Sequence, residues 1–104
     1  MTRLGQGVAA ENENVLVAFK TFEPGEVFPN HIHEILTETF VGVEGRVELW
    51  IDRSECVDIL PGVVRSVEAH REHCLRNATD EPAVICYIKS PHLPDDRVAR
   101  TWEP

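Results

Sequence analysis

Between Val15 and Lys89 the apolar residues fall into eight short runs divided by Gly, Pro, Asn and Asp, and no stretch repeats them at i, i+3, i+4 and i+7 over the length of a helix. A chain patterned in this way can bury its apolar residues only as strands, since a strand needs few residues and exposes alternate ones. The spacing predicts strands over 15–22, 27–32, 38–43, 46–51, 56–60, 63–67, 73–76 and 83–89. Turns are expected at Glu23-Pro24-Gly25, Glu44-Gly45, Pro61-Gly62 and 77–82, where Gly can adopt positive φ at little cost. In the fourth run Val47, Leu49 and Ile51 alternate with Glu48 and Trp50, as a strand with one packed face requires. Eight short strands in a chain of 104 residues imply one all-β domain: a sandwich, a jelly roll or a small barrel.

Composition narrows the partners. The chain is 42% apolar and 27% charged, enough to build a core. Its 18 acidic against 10 basic residues leave a net charge of −8, which repels phosphate backbones and anionic headgroups, so neither nucleic acid nor a membrane is an expected partner. The longest apolar stretch, 15–19, is far shorter than a bilayer span, and a soluble, cytoplasmic protein is expected. Cys56, Cys74 and Cys86 are odd in number and widely spaced, which argues for reduced thiols rather than a disulfide framework. Residues 15–91 form the expected barrel. Residues 1–14 read as a flexible segment or swapped edge strand, and 92–104, rich in Pro, as a tail that frays or drapes over another subunit.

The histidines carry the chemistry. His31 and His33 are separated by one residue, so on a strand both imidazoles leave the same face. Taken alone, His33 reads as readily as a surface histidine. Glu38 lies an odd number of residues further on and joins the pair only if the chain bends near 34–37. His73 supplies a third imidazole if its strand lies beside the first. Three neutral nitrogens and one carboxylate suit a divalent transition metal and leave coordination positions free.

This spacing resembles a known family. Gly25, five residues, His31, one residue, His33, four residues, Glu38, six residues and Gly45 reproduce the first signature motif of the cupins. Gly62, His73 and Asn77 match the second, which here carries Glu68 and His70 where the family usually has Pro and Gly. The resemblance covers 25–91. It implies a double-stranded β-helix barrel of jelly-roll type, with one divalent metal (Fe, Mn, Ni, Zn or Cu) held by His31, His33, Glu38 and His73. It also implies a homodimer, to which the exposed sheet edges of so short a barrel independently point.

Other residues are assigned by parity. Phe40 and Gly42 share the face of Glu38, and Leu75 that of His73, so Phe40 and Leu75 are expected to line the cavity. Cys86 and Tyr87 point to opposite faces; Cys86 is the pocket-lining candidate, with core packing its default. His70, close in sequence to His73, is a candidate substrate-facing base, and Glu38 a catalytic group as well as a ligand. Glu68 is a candidate to orient an imidazole. Asn77 reads as a turn residue, His92 as a solvated loop residue, and Trp102 as an anchor for the tail on another subunit.

Two functions of different class follow. The first is a metalloenzyme of dioxygenase or isomerase type acting on a small organic molecule. The second is a non-catalytic module that binds a sugar-like molecule or metabolite. A metal-free epimerase is disfavoured, because all four ligand positions are filled. Fold alone does not choose between them.

Overall fold

The structure, a computed structural model, describes residues 6–104. Ten strands form among them: β1 (Gly7–Glu11), β2 (Leu16–Phe22), β3 (Val27–Ile32), β4 (Thr37–Glu44), β5 (Val47–Ile51), β6 (Glu55–Ile59), β7 (Val64–Val67), β8 (His73–Arg76), β9 (Ala83–Ser90) and β10 (Val98–Ala99). Each of the eight expected strands is present, with its ends displaced by no more than one residue. No helix forms among the described residues, and so none is long and apolar enough to cross a membrane.

All pairings are antiparallel, and they build two five-stranded sheets, β1-β2-β9-β4-β7 and β10-β3-β8-β5-β6. Their inner faces enclose a core of Phe22, Phe40, Val47, Leu49, Ile51, Ile59, Leu75 and Ile85. The alternation in β5 decides its orientation: Val47, Leu49 and Ile51 are wholly buried. Glu48 and Trp50 look outward, where Glu48 accepts from Arg76 and from the Trp50 indole. Sheets of this kind draw most of their stability from such burial, about 1.5–3 kcal/mol for each large apolar side chain.

Of the expected N-terminal segment 1–14, residues 1–5 lie outside the described residues, and strands near both ends of the described chain join the sheets. β1 pairs with β2 although all five of its residues are exposed. β10 pairs with β3, and the tail beyond it follows β3: Arg100 N–H donates to the Asn30 carbonyl, and the Asn30 amide donates to the Arg100 carbonyl. Trp102 packs edge-on against Trp50 of its own chain, with ring centroids 5.9 Å apart, and Arg76 donates to the Pro104 carbonyl. The tail therefore lies on its own barrel. His92, expected in solvent, is instead half-buried: its Nε2 lies 2.7 Å from Glu11, and its backbone N–H donates to the Glu13 carbonyl, so it ties the tail to the first strand.

Candidate metal centre

His31 on β3 and His73 on β8 are direct cross-strand partners, which places their imidazoles side by side with centroids 4.2 Å apart. His33 follows one residue beyond the end of β3 and keeps the face of His31. Glu38 comes from β4 in the facing sheet. The bend required between His33 and Glu38 exists, and an unexpected residue holds it: the Asp96 carboxylate in the tail accepts the backbone N–H groups of Glu34, Ile35 and Leu36 at 2.8, 3.0 and 2.9 Å. Sequence reasoning passed over Asp96, because a carboxylate in a Pro-rich tail carries no periodic signal.

One potential ligand atom from each of the four side chains lies within 4.8 Å of the others, and all four residues are at most 3% exposed. The Nε2 atoms of His33 and His73 each stand 3.0 Å from Glu38 Oε1, and that of His31 stands 3.8 Å away. The opposite ring nitrogens face backbone carbonyls. His31 Nδ1 bonds the Pro29 carbonyl at 2.7 Å, His73 Nδ1 that of Arg71 at 3.3 Å, and His33 Nδ1 that of Asp96. A carbonyl oxygen can only accept, so each Nδ1 carries the proton, and in the neutral ring the Nε2 lone pair points inward.

The electrostatics follow from this geometry. Burial holds the His31 pKa below its ordinary value, with Glu38 opposing and His73 adding to the shift, which keeps the ring neutral. Burial acts to raise the Glu38 carboxyl, but the three imidazoles outweigh it and hold it well below the usual range. The ionised carboxylate stands at hydrogen-bond distance from the inward Nε2 atoms of His33 and His73. Such an arrangement is favourable only with positive charge between the groups, whether protons or a cation. Three borderline nitrogens and one hard oxygen fit a divalent transition metal.

Glu38 also lines a small cavity of about 10 Å³, room for roughly one water, together with Lys20, Phe28, Phe40, Leu75 and Tyr87. Phe40 and Leu75 are where parity put them. Cys86 is not: Tyr87 lines the cavity, because β9 pairs Tyr87 with Phe40 and Cys86 with Val41, and cross-strand partners share a face. Phe28 escaped the sequence reading because it is an odd number of residues from His31. A bulge between Phe28 and His31 restores it to the inner face.

His70 stands outside the cluster. It is exposed, at φ +72, and its backbone N–H donates to the His33 carbonyl at 2.7 Å. The turn demands a left-handed residue here, the conformation glycine adopts cheaply. His70→Gly is therefore expected to retain metal binding and to raise the unfolding free energy by about 0.5–1 kcal/mol, measured by urea denaturation. A loss of metal on this change would instead assign the imidazole to the site. Glu68 is exposed too and lies 3.9 Å from Arg71, while the Arg71 carbonyl orients His73 in its place.

Asp96 has a second consequence. Burial acts to raise its carboxyl, but the N–H groups of Leu36, Glu34 and Ile35 prevail and hold it below the ordinary Asp value. Its stabilisation is therefore complete at neutral pH and is lost as pH falls through that lowered value. Asp96→Ala should cost about 1–2 kcal/mol and weaken metal binding about tenfold, read by urea midpoint and by competition with a chelating dye. Unchanged metal affinity would show that the bend holds without the carboxylate.

Comparison with known proteins agrees with the barrel. The sequence model of the Cupin domain family matches residues 18–89. No curated protein matches in sequence. Among solved structures, an uncharacterised conserved protein with a double-stranded beta-helix domain from Klebsiella pneumoniae superposes with a TM-score of 0.79 at 17% identity, over 97% of this chain and 90% of that one. KdgF from Halomonas sp. superposes at 0.78 with 20% identity, over 86% and 79%. A sugar phosphate isomerase of the cupin superfamily from Silicibacter pomeroyi superposes at 0.70 with 25% identity, over 78% of this chain but 52% of that one, so the chain spans about half of that protein. With two facing antiparallel sheets, a buried cluster of three histidines and one glutamate, and a family match over most of its length, the chain belongs to the cupin family.

Proposed function

We propose that the protein binds one divalent transition metal through His31, His33, Glu38 and His73, and acts on a small organic molecule bound beside them, where Glu38 lines the cavity. The observation that carries this reading is the convergence of the His33 and His73 Nε2 atoms on one carboxylate oxygen at 3.0 Å, with every Nδ1 engaged by a backbone carbonyl. A metal held there supplies Lewis acidity toward a carbonyl or enediol oxygen, or redox chemistry if it is iron. The chain's own contribution is to orient and desolvate. Phe28, Phe40 and Leu75 exclude water from one side of the substrate, and the Tyr87 hydroxyl stays protonated because burial raises its pKa, as do Glu38 and Cys86, leaving a hydrogen-bond donor at the wall. Similarity to a sugar phosphate isomerase favours the isomerase class over the dioxygenase class.

Elemental analysis of untagged, chelator-free protein tests the metal. Near-stoichiometric metal in the unmodified chain and in His70→Ala, with loss in His33→Ala, is the expected result. Absence of metal after incubation with Fe(II), Mn(II), Ni(II) and Zn(II) would refute it. We further propose that the barrel forms a homodimer through β1, a reading supported by the exposure of that edge strand and of Val8 within it. Sedimentation equilibrium tests it, and a monomer at all concentrations would refute it.

A further inference from the structure

We infer that the molecule bound at this cavity is a small organic anion, carboxylate or phosphate, selected by Lys89 and Arg97 beside it. The inference rests on the reading that this cavity is the substrate site and adds the charge of what binds there.

The chain has two lysines, and both face the barrel interior. Lys20 lines the cavity and is the cross-strand partner of Ile85, a core residue. Lys89 is the cross-strand partner of Glu38, so its side chain leaves β9 on the same face as the metal-site carboxylate and as Tyr87. Its ammonium lies 5.8 Å from the centroid of the Tyr87 ring, and the residue is half-buried. Arg97, exposed in the tail, holds its guanidinium carbon 5.2 Å from the centroid of Phe28, a lining residue.

The pairing pattern is what makes this placement informative. Acidic residues outnumber basic ones 18 to 10, so most cations should find a carboxylate. Lys20, Arg46, Arg53, Arg65, Arg71 and Arg76 all do. Among the described residues only Lys89, Arg97 and Arg100 form no ion pair, and Arg100 donates to the Ala99 carbonyl. Two of the three unpaired cations therefore each lie against an aromatic ring that lines the cavity, in a protein whose net charge is −8. A half-buried ammonium without a counter-ion carries a desolvation cost that an anionic ligand relieves. The Glu38 carboxylate does not serve, since it is turned to the imidazoles. Local positive charge inside an acidic surface also draws anions in and excludes cations.

The test compares 2-methylpropanoate, 2-methylpropyl phosphate and neutral 2-methylpropanamide, which share an apolar body of similar shape. Each is titrated into metal-free and zinc-loaded protein and followed by ¹H–¹⁵N NMR, with metal content measured on the same samples. The expected result is that at least one anion binds about tenfold or more tightly than the amide, with shifts centred on Lys20, Phe40, Tyr87 and Lys89. In the Lys89→Gln, Arg97→Gln double variant the advantage falls to about twofold or less, with fold and metal content unchanged. The anion that binds more tightly identifies the class. Equal binding of anion and amide, no saturable anion binding, shifts mapping elsewhere, or an anion preference that survives in the double variant would each overturn the inference. Zinc refused by a protein whose metal-free form still prefers anions would instead refute the metal site and leave this inference standing.

Discussion

Stripping the metal is expected to lower the melting temperature of the unmodified protein by about 10–20 °C, and Glu38→Gln is expected to remove most of that difference. A ligand that binds only the folded state at a hundred times its dissociation constant stabilises by about 2.7 kcal/mol. In a domain of this size each kcal/mol is worth about 4–8 °C. The four donors come from β3, the bend after it, β4 and β8, which belong to both sheets, so the unfolded chain cannot present them together. Glutamine keeps the shape of Glu38 but removes the charge that offsets the metal's own. It also gives the site N–H donors, and the inward lone pairs of His33 and His73, 3.0 Å from the replaced oxygen, can accept them. The metal-free variant should therefore melt at or above the metal-free parent, while the metal-dependent increment collapses. Calorimetry of the four samples measures both quantities. A parent protein that binds metal yet melts within about 3 °C of its stripped form would show that the ligands do not couple the sheets. A Glu38→Gln protein that retains the full increment would remove the carboxylate from the site.

The His31/His33 pair was legible because strand alternation is strict: the two could share a face only if the segment was extended, and their distance from Glu38 demanded a bend that the structure contains between β3 and β4, whereas the set of four with His73 came from the resemblance to the cupin motifs. The central strands were legible for the same reason, as in Val47, Leu49 and Ile51. Where pairing rather than alternation decides, the sequence was silent. The residues of β1 are all exposed and those of β10 number two, so neither has an apolar face to announce it. Phe28 returns to the inner face through a bulge, and Tyr87 rather than Cys86 faces inward through the register with Phe40; both are properties of two strands together. The turn between β5 and β6 places Asp52 and Arg53 at positive φ without a glycine. Asp52 there accepts from the Glu72 N–H and from Arg71, and Arg53 bonds Glu72, contacts across the chain that compensate for a strained turn.

Gly42→Ala is expected to cost about 4 kcal/mol or more, a large part of the roughly 5–15 kcal/mol that holds a domain of this size together. Parity puts Gly42 on the inner face with Glu38 and Phe40, and a side chain there was expected to meet the cavity. It meets backbone instead: an added Cβ would lie 1.9 Å from the Leu60 carbonyl oxygen and 2.5 Å from its carbon. The turn between β6 and β7 passes over Gly42 and closes that end of the barrel. It cannot retreat alone, because Gly62 N–H donates to the Gly42 carbonyl at 3.0 Å and Gly42 N–H donates to the Val63 carbonyl at 2.9 Å. Moving the turn far enough to admit a methyl group breaks both bonds, each worth about 1 kcal/mol net and more if a group is left buried and unpaired. It also disturbs the packing of Ile59 and Val67 on either side. Gly62→Ala is the matched control, since a Cβ there meets open space and only the backbone at φ +87 objects. That change should cost about 1–2 kcal/mol. Urea denaturation of both variants separates steric closure from conformational strain. Equal losses, or a Gly42→Ala protein within about 1.5 kcal/mol of the parent, would mean that the turn yields and that the closed end of the barrel is softer than its packing implies.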